Sequence, residues 1–242
     1  MSIFKNQIVR AVVRIVVAIL MGLFILAIGS AIMMSFRNLP DLLQSKPWIG
    51  GFINHTTMLV FSILVMLVLS KGKISTYGFK LAKNTQLKQI ILLGLGIGII
   101  GTLIQSCIPR KVTPFAFMEN YSFIQTVIFV WIYASVCEEV LTRGLIQGYL
   151  APLTEYGFTI FKLRISLPVL VSALFFASMH ITLLTMGMDS ATVLTIVLFA
   201  FILGIIAGYH SEKTKSLIPA IITHMLFNAG GHCTGLLIGL FR

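Results

Sequence analysis

Acidic residues are scarce in this sequence: only 7 of its 242 residues are Asp or Glu, and charged residues of both signs make up 10% of the chain. Soluble domains carry about 25% charged and about 45–50% apolar residues. Here 57% of the residues are hydrophobic and the mean hydropathy is +1.00, which excludes a soluble globular class. Repeated apolar runs, long enough to cross a hydrocarbon layer of about 30 Å, predict an all-α, polytopic membrane helical bundle.

Cysteine is also rare, and Cys107, Cys137 and Cys233 lie far apart in apolar surroundings. This spacing excludes a disulfide framework or a zinc ribbon and indicates buried thiols. No small-residue cleavage site follows the basic start MSIFKNQIVR, so we expect a retained first span rather than a removed signal peptide. Low-complexity regions and internal repeats are absent, and we expect one integral-membrane domain over residues 1–242.

The apolar runs predict seven or eight transmembrane helices. The runs lie near residues 9–33, 52–70, 89–107, 120–150, 166–184, 191–210 and 217–241. The last run contains Gly230 and Gly231, and a break there would give the eighth span. Two glycine pairs have the four-residue spacing that allows close helix packing in lipid, Gly94 with Gly98 and Gly144 with Gly148.

The formal net charge of +11 would suggest a nucleic-acid partner in a soluble chain. The cations fall between the apolar runs, however, where anionic lipid headgroups attract them, so we expect no nucleic-acid binding. Alternate segments carry Lys5, Arg10, Arg14, Lys71, Lys73, Lys80, Lys83, Lys88, Lys162, Arg164, Lys213 and Lys215. The opposite segments carry Arg37, Lys46, Arg110, Lys111 and Arg242. The positive-inside rule therefore predicts a multi-pass cell-membrane protein with a cytoplasmic N-terminus.

Two adjacent glutamates and an arginine lie inside the fourth run, in the segment ASVCEEVLTRG. Ionisable groups in membrane helices are costly and by default face the bundle interior or a water-filled cavity. Residues four apart share a helix face, so we expect Glu139 to pair with Arg143 while Glu138 points about 100° away. A carboxylate left unpaired in a poorly solvated site is suited to accept a proton.

Two further runs carry polar residues one helical turn apart. The fifth contains Phe176 and His180, and the seventh contains His224 and Asn228. A single membrane histidine is more often a packing residue, but here three helices each bear such groups. Counting about 1.5 Å per residue from the cytoplasmic helix ends places them at similar depths, which predicts a mid-membrane polar cavity open to the cytoplasm. The other histidines, expected at solvated span ends, are His55, His210 and His232.

Taken together, these motifs resemble those of a known protease family. The ordered set is Glu138-Glu139-x-x-x-Arg143, Phe176-x-x-x-His180 and His224-x-x-x-Asn228. It is similar to the motifs of the CPBP (or Abi) family of intramembrane proteases, which includes CAAX-type prenyl endopeptidases and bacteriocin-processing proteins. The resemblance covers a core region of residues 120–230 and implies hydrolysis of a peptide bond within or next to the membrane.

The resemblance also implies residue roles. Glu138 would be the general base that activates water, assisted by His180, while His224 and Asn228 would stabilise the oxyanion. The residues implied to orient the site are Glu139 and Arg143. Glutamate and two histidines could in principle bind zinc, and the family is often called metalloprotease, but an H-E-x-x-H helix is absent. We therefore expect a metal-free attack of water and no cofactor.

The motif residues do not identify the substrate. The resemblance implies a membrane-associated or lipidated peptide, either a prenylated CAAX-like tail or a bacteriocin or pheromone precursor, with a role in processing or self-immunity. A proton-coupled transporter is an alternative, because an intramembrane carboxylate with histidines also forms a proton relay. The sequence lacks the paired broken segments typical of inverted repeats. A third alternative is a non-catalytic immunity or scaffold protein.

Overall fold

The computed structural model describes residues 2–36, 39–46, 48–82, 85–108, 121–160 and 163–241. Helices account for most of this part of the chain, as the composition predicts. The helices are α1 (Ser2–Ser35), α2 (Leu39–Ser45), α3 (Trp48–Leu69), α4 (Leu87–Ser106), α5 (Phe123–Gln147), α6 (Leu167–Met179), α7 (Ser190–Thr214) and α8 (Ile218–Gly239). Short 3₁₀ turns span Ile74–Tyr77, Ala151–Leu153 and His180–Leu184.

Within the described ranges, six helices are long and apolar enough to cross a membrane. They are α1 from Gln7 onward, α3, α4, α5, α6 with its extension to Leu184, and α7. Helix α8 has 22 residues, a length of about 33 Å at 1.5 Å per residue, but two histidines and an asparagine make it more polar. It continues unbroken through Gly230 and Gly231, so the last apolar run forms one helix and not two.

Helix α5 changes its winding around the two glutamates. The segments Thr126–Ala134 and Val140–Gln147 are π-helical, and Ser135–Glu139 between them is α-helical. The N-terminus of α5 is capped by a capping box: the Ser122 side chain accepts a hydrogen bond from the Gln125 backbone N–H, and the Gln125 side chain accepts one from the Ser122 backbone N–H. π-Helical turns are rare and concentrate at functional sites. The winding of α5 therefore indicates a candidate functional site at the turn that carries Glu138 and Glu139.

A small antiparallel hairpin interrupts the otherwise helical architecture. Strand β1 (Gly157–Ile160) pairs with β2 (Leu163–Ser166). Ser166 then caps α6, because its Oγ accepts a hydrogen bond from the Val169 N–H at 3.3 Å. The same hydroxyl donates to Oε2 of Glu212 in α7 at 2.6 Å. The hairpin thus sets where α6 begins and ties that end to α7.

The core lies where the second half of α5 packs against α1 and α3. Leu141 is fully buried there together with Ile25 of α1 and Met66 of α3. A second cluster joins Phe176 of α6 to Leu203 of α7. Many large apolar side chains on the outer faces of the helices are exposed, as expected for surfaces that contact lipid.

Both glycine pairs permit close approach, but to different partners. Gly94 and Gly98 lie against the backbone of α8, whereas Gly144 contacts Met66 and Gly148 lies against the ring of Tyr77. The expectation of three buried thiols is wrong for two of them: Cys137 is buried, but Cys107 and Cys233 are exposed. Cys107 lies at the end of α4 and Cys233 lies on α8, and both side chains are on faces that the bundle leaves exposed.

The orientation of the chain in the membrane stays a prediction from the distribution of its cations. Several cations that support it also lie outside the described residues, namely Arg37, Lys83, Arg110, Lys111, Lys162 and Arg242.

Candidate active site

Glu138 lies in the α-helical turn of α5, and its carboxylate faces two histidines. Its Oε1 is 3.0 Å from Nε2 of His55 in α3, and its Oε2 is 3.7 Å from Nε2 of His224 in α8. The Glu138 side chain is only 15% exposed. Three helices therefore meet at one nearly buried carboxylate, as the depth argument from the sequence predicts for α5 and α8.

Glu139 is the more deeply buried carboxylate and is held by a cation. Arg143 Nη1 donates a hydrogen bond to Glu139 Oε1 at 3.0 Å, and both side chains are 0% exposed. This confirms the predicted pair. His224 Nδ1 lies 2.9 Å from the same oxygen, and a carboxylate paired with arginine only accepts hydrogen bonds. Nδ1 of His224 therefore carries a proton, and its Nε2 is directed towards Glu138.

The guanidinium of Arg143 is enclosed by groups that belong to the site. Its Nη1 also donates to Thr142 Oγ1 at 2.6 Å, and the Arg143 Cζ atom lies 4.7 Å from the centroid of the Phe176 ring. Thr142 Oγ1 in turn donates to the carbonyl oxygen of Glu138 at 2.6 Å. The cation–π contact explains why Phe176 accompanies the charged pair: an aromatic face stabilises a desolvated guanidinium.

His180 lies at the point where α6 ends and a 3₁₀ turn begins. Its Nδ1 donates to the Phe176 carbonyl oxygen at 3.1 Å, which leaves Nε2 as the nitrogen able to act on a substrate or water. The Phe176 ring contacts both His180 and His224 edge-on, with centroid distances of 5.1 and 5.3 Å. The Phe176 ring thus joins His180 to His224, which itself faces Glu138.

Asn228 follows His224 by one turn on α8 and contacts the π-helical part of α5. Its Nδ2 donates to the Val130 carbonyl oxygen at 3.1 Å and to Ser135 Oγ at 3.2 Å. These two bonds use both amide hydrogens. Donation to an oxyanion would require the amide to exchange one of these acceptors, so the oxyanion role implied by the resemblance stays a prediction.

His55 is the site residue that sequence reasoning missed. We expected it at a solvated span end, but it lies inside α3 and its Nε2 binds Glu138. One signal was available: four consecutive polar residues, from Asn54 to Thr57, interrupt an apolar run, and polar groups inside a membrane helix by default face the bundle interior or a cavity. The solvated position expected for His210 is also wrong, because that residue is 2% exposed. His232 is half-buried between the rings of Phe123 and Trp131.

The donor chemistry around Glu138 is of a kind that zinc accepts, namely one carboxylate and imidazole nitrogens. Nowhere in the described ranges do three His, Cys, Asp or Glu side chains form a group that could hold a metal ion. Instead, Glu138 Oε1 and His55 Nε2 are directed at each other. We therefore derive no step through a metal, and the metal-free mechanism stays a prediction.

Comparison with known proteins gives one family match. Residues 120–230 match a family model described as Rce1-like, type II CAAX prenyl endopeptidase. This segment covers just under half of the chain and includes Glu138, His180 and His224. Curated proteins and solved structures give no match. The resemblance deduced from the three motifs is confirmed: residues 120–230 are similar to the Rce1-like type II CAAX prenyl endopeptidase family.

Proposed function

We propose that this protein is an intramembrane endopeptidase in which Glu138 activates water for attack on a peptide bond. The observation that carries the proposal is the nearly buried Glu138 carboxylate between the Nε2 atoms of His55 and His224. A carboxylate and an imidazole that reach the same water can remove its proton and direct its oxygen at a carbonyl. The family match supports a CAAX-type endopeptidase.

The reaction begins at Oε2 of Glu138, the oxygen on the His224 side. Glu138 accepts a proton from water while the water oxygen bonds to the scissile carbonyl carbon, whose π electrons move to the carbonyl oxygen. The C–N bond then breaks as the oxyanion collapses, and Glu138 returns the proton to the leaving nitrogen. Water and peptide become a carboxylic acid and an amine, and the carboxylate is regenerated.

Neighbouring groups supply the electrostatic part of this mechanism. We assign stabilisation of the oxyanion to His224 and Asn228, where each donor contributes about 3–4 kcal/mol to transition-state binding. His224 gains the hydrogen that it needs on Nε2 from the proton that Glu138 Oε2, 3.7 Å away, takes from water, and it gives that proton back to Glu138 before the amine leaves. His180 assists the base through its Nε2. Glu139 and Arg143 orient the site, because the bond from His224 Nδ1 to Glu139 holds the imidazole ring against rotation.

The proposed substrate is a membrane-associated peptide, either a prenylated CAAX-like C-terminal tail or a bacteriocin or pheromone precursor. Apolar outer faces and an interior site favour a substrate that is itself held in the bilayer, because such a peptide approaches the site from the lipid. Peptide processing and self-immunity are the biological roles that follow from these two substrate classes.

Cleavage by the purified full-length protein tests the proposal. The substrates are a farnesylated CAAX peptide, the same peptide without the lipid, and a leader-bearing hydrophobic peptide, each assayed in lipid nanodiscs. We expect Glu138→Gln to lower kcat by about 10²–10⁴-fold, the contribution of a general base. The matched control is Glu212→Gln, which alters a carboxylate bound to Ser166 outside the site.

Two outcomes would contradict the proposal. The first is cleavage by Glu138→Gln at the wild-type rate. The second is an absence of hydrolysis in the wild type together with proton-driven uptake of a solute into proteoliposomes, which the transporter alternative predicts.

A further inference from the structure

The hydrogen bonds of His55 define the protonation of its ring. Nδ1 lies 2.6 Å from the carbonyl oxygen of Gly51, one turn earlier on α3. A carbonyl oxygen only accepts hydrogen bonds, so Nδ1 must carry a hydrogen. In a neutral imidazole with Nδ1–H, the other nitrogen, Nε2, has a lone pair and no hydrogen.

That nitrogen nevertheless lies 3.0 Å from Oε1 of Glu138. A lone pair and a carboxylate oxygen would repel each other at this distance, so one proton lies between His55 and Glu138. The proton resides either on His55, giving an imidazolium and a carboxylate, or on Glu138, giving two neutral groups. Since water activation requires an ionised Glu138, the two cases predict different resting states.

The charges of the surrounding groups favour the imidazolium. Glu138 and Glu139 carry two negative charges, and Arg143 supplies one positive charge at Glu139. A remaining buried charge is costly in lipid unless it is paired. His224 does not have to supply the second cation, because a neutral ring with Nδ1–H satisfies its bond to Glu139. A protonated His55 makes the cluster electrically neutral.

Tyr133 of α5 lies beside His55 and binds the neighbouring residue of α3. The Tyr133 ring lies edge-on to the imidazole at a centroid distance of 6.4 Å, and its hydroxyl is 2.7 Å from Thr56 Oγ1. Thr56 Oγ1 donates to the Phe52 carbonyl oxygen at 2.6 Å, so the tyrosine hydroxyl is the donor to threonine. These contacts hold α3 and α5 in the register that the ion pair needs.

We infer that His55 is a positioning residue for the hydrolysis: as an imidazolium bound to Gly51 and Glu138, it holds Oε1 and presents Oε2 of Glu138 to the attacking water. This inference rests on the proposed function. It adds to the site a residue from α3, a helix that lies outside the segment matched by the family model. The proton on His55 is not consumed. The proton that Glu138 takes from water passes to the leaving amine, and the charge balance is restored after each turnover.

Solid-state ¹⁵N NMR of histidine-labelled protein in nanodiscs tests the ion pair without any substrate. At neutral pH we expect a ring signal with both nitrogens protonated that disappears in His55→Gln and also in Glu138→Gln. The control, His210→Gln, alters a buried histidine of α7 and should leave that signal unchanged. A wild-type His55 with hydrogen only on Nδ1 would overturn the inference.

The second measurement is the steady-state rate at which the His55 variants cleave the peptide substrate. A glutamine amide can donate to Oε1 of Glu138 but carries no charge, whereas alanine does neither. We expect kcat to fall in the order wild type, His55→Gln, His55→Ala, by roughly 10- to 100-fold for alanine, with little change in KM. Wild-type kcat in His55→Ala would contradict the positioning role. If the wild type cleaves no peptide, the proposed function fails, while the NMR result still decides the ion pair.

Discussion

Gly94 of α4 lies directly against Thr223 of α8: a Cβ atom on Gly94 would be 2.8 Å from the carbonyl oxygen of Thr223. One turn further on, Gly98 lies still closer to the carbonyl oxygen of Phe227. Both contacts are with backbone, which cannot move aside as a flexible side chain can. Thr223 and Phe227 lie on either side of His224 in sequence. The close packing of α4 against α8 therefore fixes the position of the His224 imidazole.

Replacing Gly98 should therefore damage both stability and activity. We expect Gly98→Ala to lower the free energy of unfolding by about 1–3 kcal/mol, the usual cost of overpacking, and to lower kcat by displacing His224. Thermal unfolding in detergent and the peptide assay measure the two effects. Gly96→Ala is the matched control, since a Cβ at Gly96 would have no described atom within 4 Å. Equal losses in the two variants would contradict the packing argument.

The Glu139–Arg143 pair should behave as a buried unit. Arg143→Met leaves the Glu139 carboxylate buried without its cation, and we expect a loss of about 3–5 kcal/mol in unfolding free energy. The double variant with Glu139→Gln removes both charges and should recover part of this loss. Chemical or thermal unfolding of the two single variants and the double variant measures the coupling. Strictly additive losses would show that the two side chains do not stabilise each other.

Sequence reasoning found the parts of the site that depend on local geometry. The Glu139–Arg143 pair follows from helical spacing alone, and three polar motifs at similar depths predicted the meeting of α5, α6 and α8. His55 was missed because helical spacing does not show which span packs beside the glutamates. The π-helical winding of α5 was also not predictable, because the sequence pattern does not show the tertiary contacts made along this helix, such as those of Asn228 with Val130 and Ser135.

Asn228 offers a test that separates catalysis from packing. If its amide stabilises the oxyanion, Asn228→Ala should lower kcat by about 10²–10³-fold with little effect on KM. Ser135→Ala removes one acceptor of the same amide and makes an N–H available, so activity should be retained. Steady-state kinetics of both variants provide the measurement. A comparable loss in Ser135→Ala would assign Asn228 to the docking of α8 on α5.

The predicted orientation can be checked by cysteine labelling in intact cells. The background carries Cys107→Ser and Cys233→Ser, because both native thiols are exposed. Lys73 in the α3–α4 connection and Met186 in the α6–α7 connection are exposed positions that the positive-inside rule places on opposite faces. We expect a membrane-impermeant maleimide to modify Met186→Cys and to leave Lys73→Cys unmodified until the cells are broken. The reverse pattern would place the N-terminus outside the cytoplasm.

The metal-free mechanism predicts that activity survives chelation. Among the described residues no three His, Cys, Asp or Glu side chains form a group that could hold a metal ion, and the 3.0 Å contact between Glu138 Oε1 and His55 Nε2 leaves no space for a cation between those two atoms. A zinc ion held by both residues would have to separate them and displace the proton that they share, which disfavours the metal at neutral pH. We expect elemental analysis of active protein to find zinc well below one equivalent, and EDTA to leave kcat unchanged. Stoichiometric zinc whose removal abolishes turnover, and whose return restores it, would show that Glu138 works through a metal-bound water instead.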